Sequence, residues 1–302
     1  MEVLERVFKC PSRSSIFKLY PIGDTHIGCR NCCESRIREL VQTIGLDENS
    51  YWIGGGDLID AINPSDVRFD MDTLPDWMLE GDAHTTRERL NDIIRQQRDR
   101  VMKILGPIKH RCLGLIEGNH EYTIRKRYHR KIHDEICFKM DVPNLSDRAH
   151  IRLTFKRAQA GMTTQIAIRH GYGGGRSDGA EPNKLGKFMD EIEADFYFTG
   201  HTHTAGIIRK PILYMPKSGV MPYEYCQKVR WAGNWGSCVK SAARGPSSYD
   251  SRACYPPRNL GGIVATIQPF HQVRKPSVRD RKKTQCGVKA WEQPLLKIDY
   301  ID

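Results

Sequence analysis

The chain has 302 residues, of which 39% are hydrophobic and 27% are charged, a balance that excludes an extensively disordered protein. Lys and Arg (47) outnumber Asp and Glu (36), and the formal charge of +11 favours a polyanionic partner without requiring one. No apolar run approaches the ~18 residues of a membrane-spanning helix, and residues 1–10 lack the apolar stretch of a secretory signal. We therefore expect a cytoplasmic protein with no membrane partner.

Short apolar runs recur along the chain, and each ends at a polar cluster of Gly with Asp, Asn or His. Their length and composition predict buried strands at residues 17–22, 51–53, 112–116, 165–169 and 195–199. Apolar residues at helical spacing predict intervening helices at residues 34–44, 86–105, 122–140 and 184–192. This alternation of strands and helices predicts an α/β fold built in layers.

After residue 203 the sequence predicts further strands at residues 207–214, 228–231, 262–267 and 295–300. We expect these strands to form a second sheet within one domain that spans residues 1–302. Residues 60–86 are polar and contain two prolines, so we expect an insertion that forms a lid, or alternatively an ordinary surface loop. Residues 272–302 are expected to form a basic C-terminal extension, because residues 274–283 hold six Lys or Arg.

The ten cysteines are too few for a disulfide scaffold, and we expect them to be reduced. Cys29 and Cys32 form a C-x-x-C motif that is followed by Cys33. A zinc site would need a second such pair, which the sequence lacks. We favour loop thiols over a zinc or redox site.

The polar clusters at the strand ends hold an unusual concentration of metal-binding side chains. Because the carboxyl ends of strands form the ligand crevice of an α/β sheet, we expect these clusters to converge. They offer two carboxylates, one amide oxygen and five of the eleven histidines: Asp24, His26, Asp57, Asn119, His120, His170, His201 and His203. Carboxylate and neutral imidazole are ligands for manganese, iron, nickel and zinc, so the set predicts a metal site.

The order of these motifs, D-x-H, G-G-D, G-N-H-E, H-G and G-H-T-H, resembles the calcineurin-like metallophosphoesterase superfamily over residues 24–203. The resemblance implies a two-sheet β-sandwich flanked by helices, the four-layer metallophosphoesterase fold, with two metal ions at one edge. It implies one ion on Asp24, His26, Asp57 and His203, and a second on Asp57, Asn119, His170 and His201. Asp57 would bridge the ions, and His120 would be the catalytic histidine that binds no metal. We expect two manganese ions, with iron, zinc, nickel or magnesium as alternatives.

Two such ions, about 3.5–4 Å apart, would lower the pKa of a bridging water, and the resulting hydroxide would attack phosphorus. His120 would protonate the leaving oxygen or stabilise the transition state. Glu121 would orient His120, or would form a surface salt bridge instead.

The substrate class is indicated less directly. The motif ending in Asp60-Ala61 resembles nucleases and phosphodiesterases of the superfamily, whereas the Ser/Thr protein phosphatases place Arg after this Asp. Tyr255-Pro256-Pro257 and Leu260-Gly261-Gly262 resemble phage-encoded members. Five of residues 125–131 are Lys or Arg, which indicates either a path for a DNA or RNA backbone or a solvated helix face. We expect substrate contacts from Arg125, Arg127, Tyr128 and Arg176.

The function predicted is a nuclease or nucleotide phosphodiesterase. Its alternatives are hydrolysis of a small-molecule phosphoester and a non-catalytic binding module.

Overall fold

Two β-sheets pack face to face in the computed structural model, which describes residues 1–174, 179–214, 226–241, 258, 260–272 and 292–301. The strands are β1 (Glu2–Lys9), β2 (Phe17–Ile22), β3 (Ser50–Gly54), β4 (Cys112–Leu115), β5 (Arg148–Arg157), β6 (Ala160–Arg169), β7 (Phe196–Thr199), β8 (Gly206–Tyr214), β9 (Cys226–Asn234), β10 (Gly262–Gln272) and β11 (Glu292–Ile301). The α-helices are α1 (Glu34–Leu46), α2 (Asp76–Leu79), α3 (Ala83–Asn91), α4 (Ile93–Leu105), α5 (Asn119–Tyr128), α6 (Ile132–Met140) and α7 (Ala180–Glu191). Two short 3-10 helices span Met71–Thr73 and Gly106–Arg111.

The strand order places the ends of the central strands at one edge of the sandwich. The six-stranded sheet has the order β1-β5-β6-β7-β9-β8, and the five-stranded sheet has the order β11-β10-β2-β3-β4. Strands β2, β3 and β4 are parallel to one another, as are β6, β7 and β9. The carboxyl ends of each parallel set therefore lie together, which is where the predicted clusters occur.

Alternating side chains divide the apolar residues between layers. In β7, Phe196 and Phe198 point into the core between the sheets, while Tyr197 points outward and meets Phe188 of α7. In β3, Ile53 enters the same core, while Trp52 packs under the helices of the other face. Burial of each such side chain stabilises the fold by about 1.5–3 kcal/mol. The result is helix, sheet, sheet, helix, so the predicted fold class is confirmed.

Two predicted helices are each broken into two, because a polar residue interrupts them. Asp92 leaves helical geometry (φ −141°) and its carboxylate accepts a hydrogen bond from the Arg95 N–H, so it ends α3 and caps α4. His129 adopts the left-handed conformation (φ 54°) after α5. The predicted helices at 86–105 and 122–140 are wrong at these two points.

The strands also differ from the expectation. The late strands do not form a sheet of their own: β8 and β9 extend the six-stranded sheet, and β10 and β11 extend the five-stranded one. Two strands were not predicted. In β5, buried and exposed side chains alternate, and β1 is a mostly exposed strand at the sheet edge.

Two further segments of the chain, residues 60–86 and 272–302, were expected to have particular roles. Within residues 60–86, Leu74 and Met78 pack on Ile93 of α4. That this segment forms a lid stays a prediction. Of the basic C-terminal region 272–302, β11 pairs with β10, whereas residues 274–283 lie outside the described residues. No helix among the described residues is long and apolar enough to cross a membrane.

The cysteine motif lies in the loop before α1. Cys29, Cys32 and Cys33 are free thiols in the described structure. Burial raises the pKa of Cys32 far above its ordinary value, which disfavours the thiolate that redox or metal chemistry would need.

Candidate metal centre

The segments that follow the carboxyl ends of five strands meet at one edge of the sandwich. They carry all eight side chains that the sequence singles out: Asp24 and His26 after β2, Asp57 after β3, Asn119 and His120 after β4, His170 after β6, and His201 and His203 after β7. Several of these residues have left-handed backbones that non-glycine residues adopt only at a cost, with φ of 46° at Asp24, 45° at His26, 50° at Asp57, 71° at His201 and 58° at His203.

Three side chains form a first cluster. His26 Nε2 lies 3.0 Å from His203 Nε2, which lies 3.4 Å from Asp24 Oδ1. Asp24 is fully buried, and among the described residues its Oδ1 has no hydrogen-bond partner. A buried carboxylate oxygen that faces two imidazole nitrogens without a hydrogen bond is a ligand set suited to a cation.

A second cluster lies beside the first. His170 Nε2 lies 2.9 Å from Asn119 Oδ1 and 3.1 Å from Asp57 Oδ2, and His201 Nδ1 lies 2.7 Å from Asn119 Oδ1. The Asp57 Oδ2 atom is also 4.0 Å from His26 Nε2 of the first cluster. Asp57 therefore lies between the two clusters, as a shared ligand requires.

The spacing of these donor atoms fits divalent metal ions. At metal–ligand distances of about 2.1 Å, neighbouring ligands of an octahedral ion lie about 3.0 Å apart. The donor atoms of the two clusters lie 2.7–3.4 Å from their neighbours. His170 is also oriented for ligation, because its Nδ1–H donates to the Gly55 carbonyl at 2.8 Å and leaves Nε2 facing the cluster.

Electrostatics favour a cation at the same place. Burial opposes ionisation of Asp24 and Asp57, but the surrounding imidazoles, of which His170 contributes most, together outweigh it and hold the pKa of both carboxyl groups below the ordinary value. Burial also disfavours protonated His170, yet the same two carboxylates raise its pKa to about 10. A divalent cation bound here would neutralise the two carboxylates in place of protonated His170, and His170 would release its proton.

His120 lies beside the first cluster with its ring held in place. Its Nδ1–H donates to the Asp60 carbonyl, and its ring meets that of His26 edge to face at 4.6 Å between centroids. This leaves Nε2 as the nitrogen available to a substrate. Burial works against a protonated ring, but the charges of Asp57 and Asp60 raise the pKa of His120 above its ordinary value. The group is therefore suited to donate a proton.

Trp235, which the sequence analysis missed, supports the first cluster. Its indole N–H donates to Asp24 Oδ2 at 2.7 Å, and the backbone N–H of His201 donates to the same oxygen at 2.8 Å. A Cβ at Gly23, Gly55 or Gly200 would collide with the indole. The glycines beside the ligands were thus the signal that a large side chain fills this space.

Glu121 does not have either of its expected roles. It is 1% exposed, so it forms no surface salt bridge. Its carboxylate accepts backbone N–H groups from Gly118 (3.2 Å) and from the Asp57 loop at Asp57 (3.0 Å), Leu58 (2.8 Å) and Ile59 (3.2 Å). It therefore fixes the loop that carries Asp57 and not the ring of His120.

Replacing Glu121 by Gln is expected to lower the affinity for Mn²⁺ about 10- to 100-fold, the usual cost of losing such a supporting contact. The amide NH₂ would face N–H donors of the Asp57 loop, which displaces the carboxylate of Asp57. Calorimetric titration of the metal-free protein with Mn²⁺ measures the effect. Glu193→Gln, at a side chain that is 75% exposed, is the matched control; equal affinities for the two variants would contradict this role.

The residues expected to contact substrate differ in their partners and exposure. Arg125 forms a bidentate pair with Glu117 (2.9 and 2.6 Å) and lies over the Tyr122 ring. Arg127 is exposed, and the Tyr128 hydroxyl donates to Asn63 Oδ1 at 3.2 Å. Arg176 lies outside the described residues.

Comparison with known proteins gives a family match. The family described as "Calcineurin-like phosphoesterase" matches residues 17–205. No curated protein sequence gives a significant match.

Similar solved structures share little sequence with the chain. Vps29 from Entamoeba histolytica, complexed with zinc, is 10% identical, with 95% of this chain and 99% of that chain covered and a TM-score of 0.35. The phosphoesterase YfkN from Bacillus subtilis is 11% identical, with 95% and 90% covered and a TM-score of 0.39. GAP50 from Plasmodium is 10% identical, with 93% and 90% covered and a TM-score of 0.44.

Proposed function

The chain belongs to the calcineurin-like phosphoesterase family, and from that premise we propose that it is a dinuclear metal-dependent hydrolase of nucleic-acid or nucleotide phosphodiesters. The observation that carries the proposal is the pair of ligand clusters that share Asp57, whose Oδ2 lies 3.1 Å from His170 Nε2 and 4.0 Å from His26 Nε2. Two divalent ions bound there would polarise the phosphoryl oxygens and supply a nucleophile from water.

The chain's own residues complete the reaction. Asp24, His26, Asp57 and His203 would hold one ion, and Asp57, Asn119, His170 and His201 the other. His120 would protonate the leaving oxygen from Nε2, because its Nδ1–H is committed to the Asp60 carbonyl. The Glu121 carboxylate would keep Asp57 in place while charge develops on the phosphoryl group.

The choice of a nucleic-acid or nucleotide substrate is supported by charge and by one departure from the protein phosphatases. The net charge of +11 favours a polyanion, and Ala61 stands where the Ser/Thr phosphatases place an arginine. Arg127 and Tyr128 lie on α5, the helix that His120 helps to begin.

The experiment assays the purified protein with Mn²⁺ against single- and double-stranded DNA, RNA, cyclic nucleotides and bis(p-nitrophenyl) phosphate. We expect hydrolysis of the aryl diester and of at least one nucleic acid or nucleotide, and a nucleic-acid rate that falls steeply with added salt. Turnover of the aryl diester alone would assign the protein to small-molecule phosphoesters. Absence of turnover with Mn²⁺, Fe²⁺ and Zn²⁺ would make it a binding module.

A further inference from the structure

A buried hydrogen-bond network contacts the loop of residues 201–203 from behind. Thr202, the residue between the two imidazoles of this loop, donates from its hydroxyl to Glu181 Oε2 at 2.8 Å. Asn234 Nδ2 donates to the other oxygen of the same carboxylate, Oε1, at 2.7 Å. Asn234 Nδ2 also donates to the Thr202 hydroxyl at 2.9 Å. The three side chains therefore form a closed triangle of hydrogen bonds.

The network joins separate elements of the fold. Glu181 lies in the first turn of α7 and is 9% exposed, while Asn234 ends β9 and is fully buried. Asn234 Oδ1 accepts the Gly236 N–H at 2.9 Å, so both ends of its amide have partners. A Cβ at Gly206 of β8 would lie 3.3 Å from Glu181 Cγ, so this glycine leaves room for the Glu181 side chain. Buried polar groups with partners on several elements fix the relative position of those elements.

The backbone of the loop needs such support. His201 and His203, on either side of Thr202, have left-handed backbones with φ of 71° and 58°. Non-glycine residues keep this conformation only where the surrounding structure enforces it. The Thr202 hydroxyl contacts both Glu181 and Asn234, so α7 and β9 hold the loop at the point between its two imidazoles.

The two imidazoles belong to different ligand clusters. His203 Nε2 lies 3.4 Å from Asp24 Oδ1 in the first cluster. His201 Nδ1 lies 2.7 Å from Asn119 Oδ1 in the second. A displacement of the loop would therefore move one imidazole of each cluster.

We propose that Glu181 is a positioning residue for the metal centre, which acts through Thr202 and Asn234 to hold His201 and His203 in their clusters. The inference rests on the proposed function and deepens it, because the two imidazoles would bind different ions there. Groups that hydrogen-bond behind metal ligands contribute about 10- to 100-fold to metal affinity. Glu181 lies 21 positions before Thr202 and outside every motif that the sequence analysis singled out.

The first test replaces Glu181 by Gln and titrates the metal-free protein with Mn²⁺ in a calorimeter. Whichever way the Gln amide turns, its NH₂ faces a group that donated to the carboxylate, so one hydrogen bond is lost. We expect the affinity for both equivalents of Mn²⁺ to fall about 10- to 100-fold. The control is Asp190→Asn near the other end of α7, at a side chain that is 61% exposed. It should bind Mn²⁺ as the wild type does.

A compensating exchange tests the contact itself. Asn234→Asp places a second carboxylate against that of Glu181 at the 2.7 Å contact, so it should also weaken Mn²⁺ binding. In the double variant Glu181→Gln/Asn234→Asp, the new amide donates to the new carboxylate. We expect the double variant to recover part of the affinity that Asn234→Asp loses, because the two positions are in direct contact.

Two substitutions of Thr202 separate positioning from a purely structural role. Thr202→Ser keeps the hydroxyl and should bind Mn²⁺ as the wild type does, whereas Thr202→Val removes the hydroxyl and should lose affinity as Glu181→Gln does. Thermal unfolding of each metal-free variant reports the stability of the fold without the ions.

The outcomes distinguish this inference from the proposed function. Wild-type Mn²⁺ affinity in Glu181→Gln, even with a lower melting temperature of the metal-free protein, would overturn the positioning role and leave the hydrolase intact. Loss of affinity for one equivalent alone, or no recovery in the double variant, would overturn it as well. A wild-type protein that binds Mn²⁺ but hydrolyses no phosphoester would overturn the proposed function alone, and one that binds no Mn²⁺ would overturn both.

Discussion

Asp57→Asn is expected to lower kcat/KM for the proposed hydrolysis of bis(p-nitrophenyl) phosphate on the order of 10⁴-fold. Asp57 Oδ2 faces both ligand clusters, at 3.1 Å from His170 Nε2 and 4.0 Å from His26 Nε2. The amide would remove the negative charge that two neighbouring cations share, and metal-ion catalysis is worth several kcal/mol. About 5 kcal/mol corresponds to the stated factor.

Steady-state kinetics and metal analysis of the same samples test this expectation. The bound metal should fall from two equivalents to one or none. Asp57→Ala should give the same result, whereas Asp190→Asn on the exposed end of α7, where Asp190 pairs with Lys210 at 2.6 Å, should retain both metals. Substantial turnover by Asp57→Asn with its full metal content would refute the shared-ligand assignment.

His120→Ala is expected to lower kcat on a nucleotide diester about 10²- to 10⁴-fold, the range for loss of a general acid. The effect should depend on the leaving group. A nucleoside alkoxide needs a proton as it departs, whereas p-nitrophenolate is stable without one. The loss should therefore be clearly smaller on bis(p-nitrophenyl) phosphate.

The pH dependence of kcat tests whether His120 donates a proton. Asp57 and Asp60 raise the pKa of His120 above its ordinary value despite burial, which favours the protonated form that a general acid needs. The wild-type kcat should fall as the pH rises through this pKa, and His120→Ala should lack that alkaline limb. Equal losses on both substrates, with an unchanged pH profile, would contradict proton donation by His120.

The convergence of the eight side chains could be predicted, because the signal of each is local. Each stands at the end of an apolar run, and parallel strands of one sheet bring such ends together, so Asp57 and Asn119 could be expected to meet. The meeting of Asp24 with His203 also depends on how the two sheets pack. Their geometry could not be predicted. The left-handed backbones at Asp57 and His201 (φ 50° and 71°) depend on tertiary contacts that no short motif encodes.

The supporting residues were harder to find, because their roles depend on distant partners. Trp235 holds Asp24 across 211 positions, and Glu121 binds Leu58 across 63. The predicted helix ends were wrong for a related reason. Asp92 lies inside an apolar pattern that favours one long helix, but its side chain caps the Arg95 N–H and starts a new helix.

Crystals of the protein grown with Mn²⁺ and measured at the manganese absorption edge would show whether the two clusters bind a pair of ions. We expect two anomalous peaks about 3.5–4 Å apart, one beside Asp24, His26 and His203, the other beside Asn119, His170 and His201, with Asp57 touching both. Manganese at neither cluster, in protein that hydrolyses phosphodiesters under the same conditions, would contradict it.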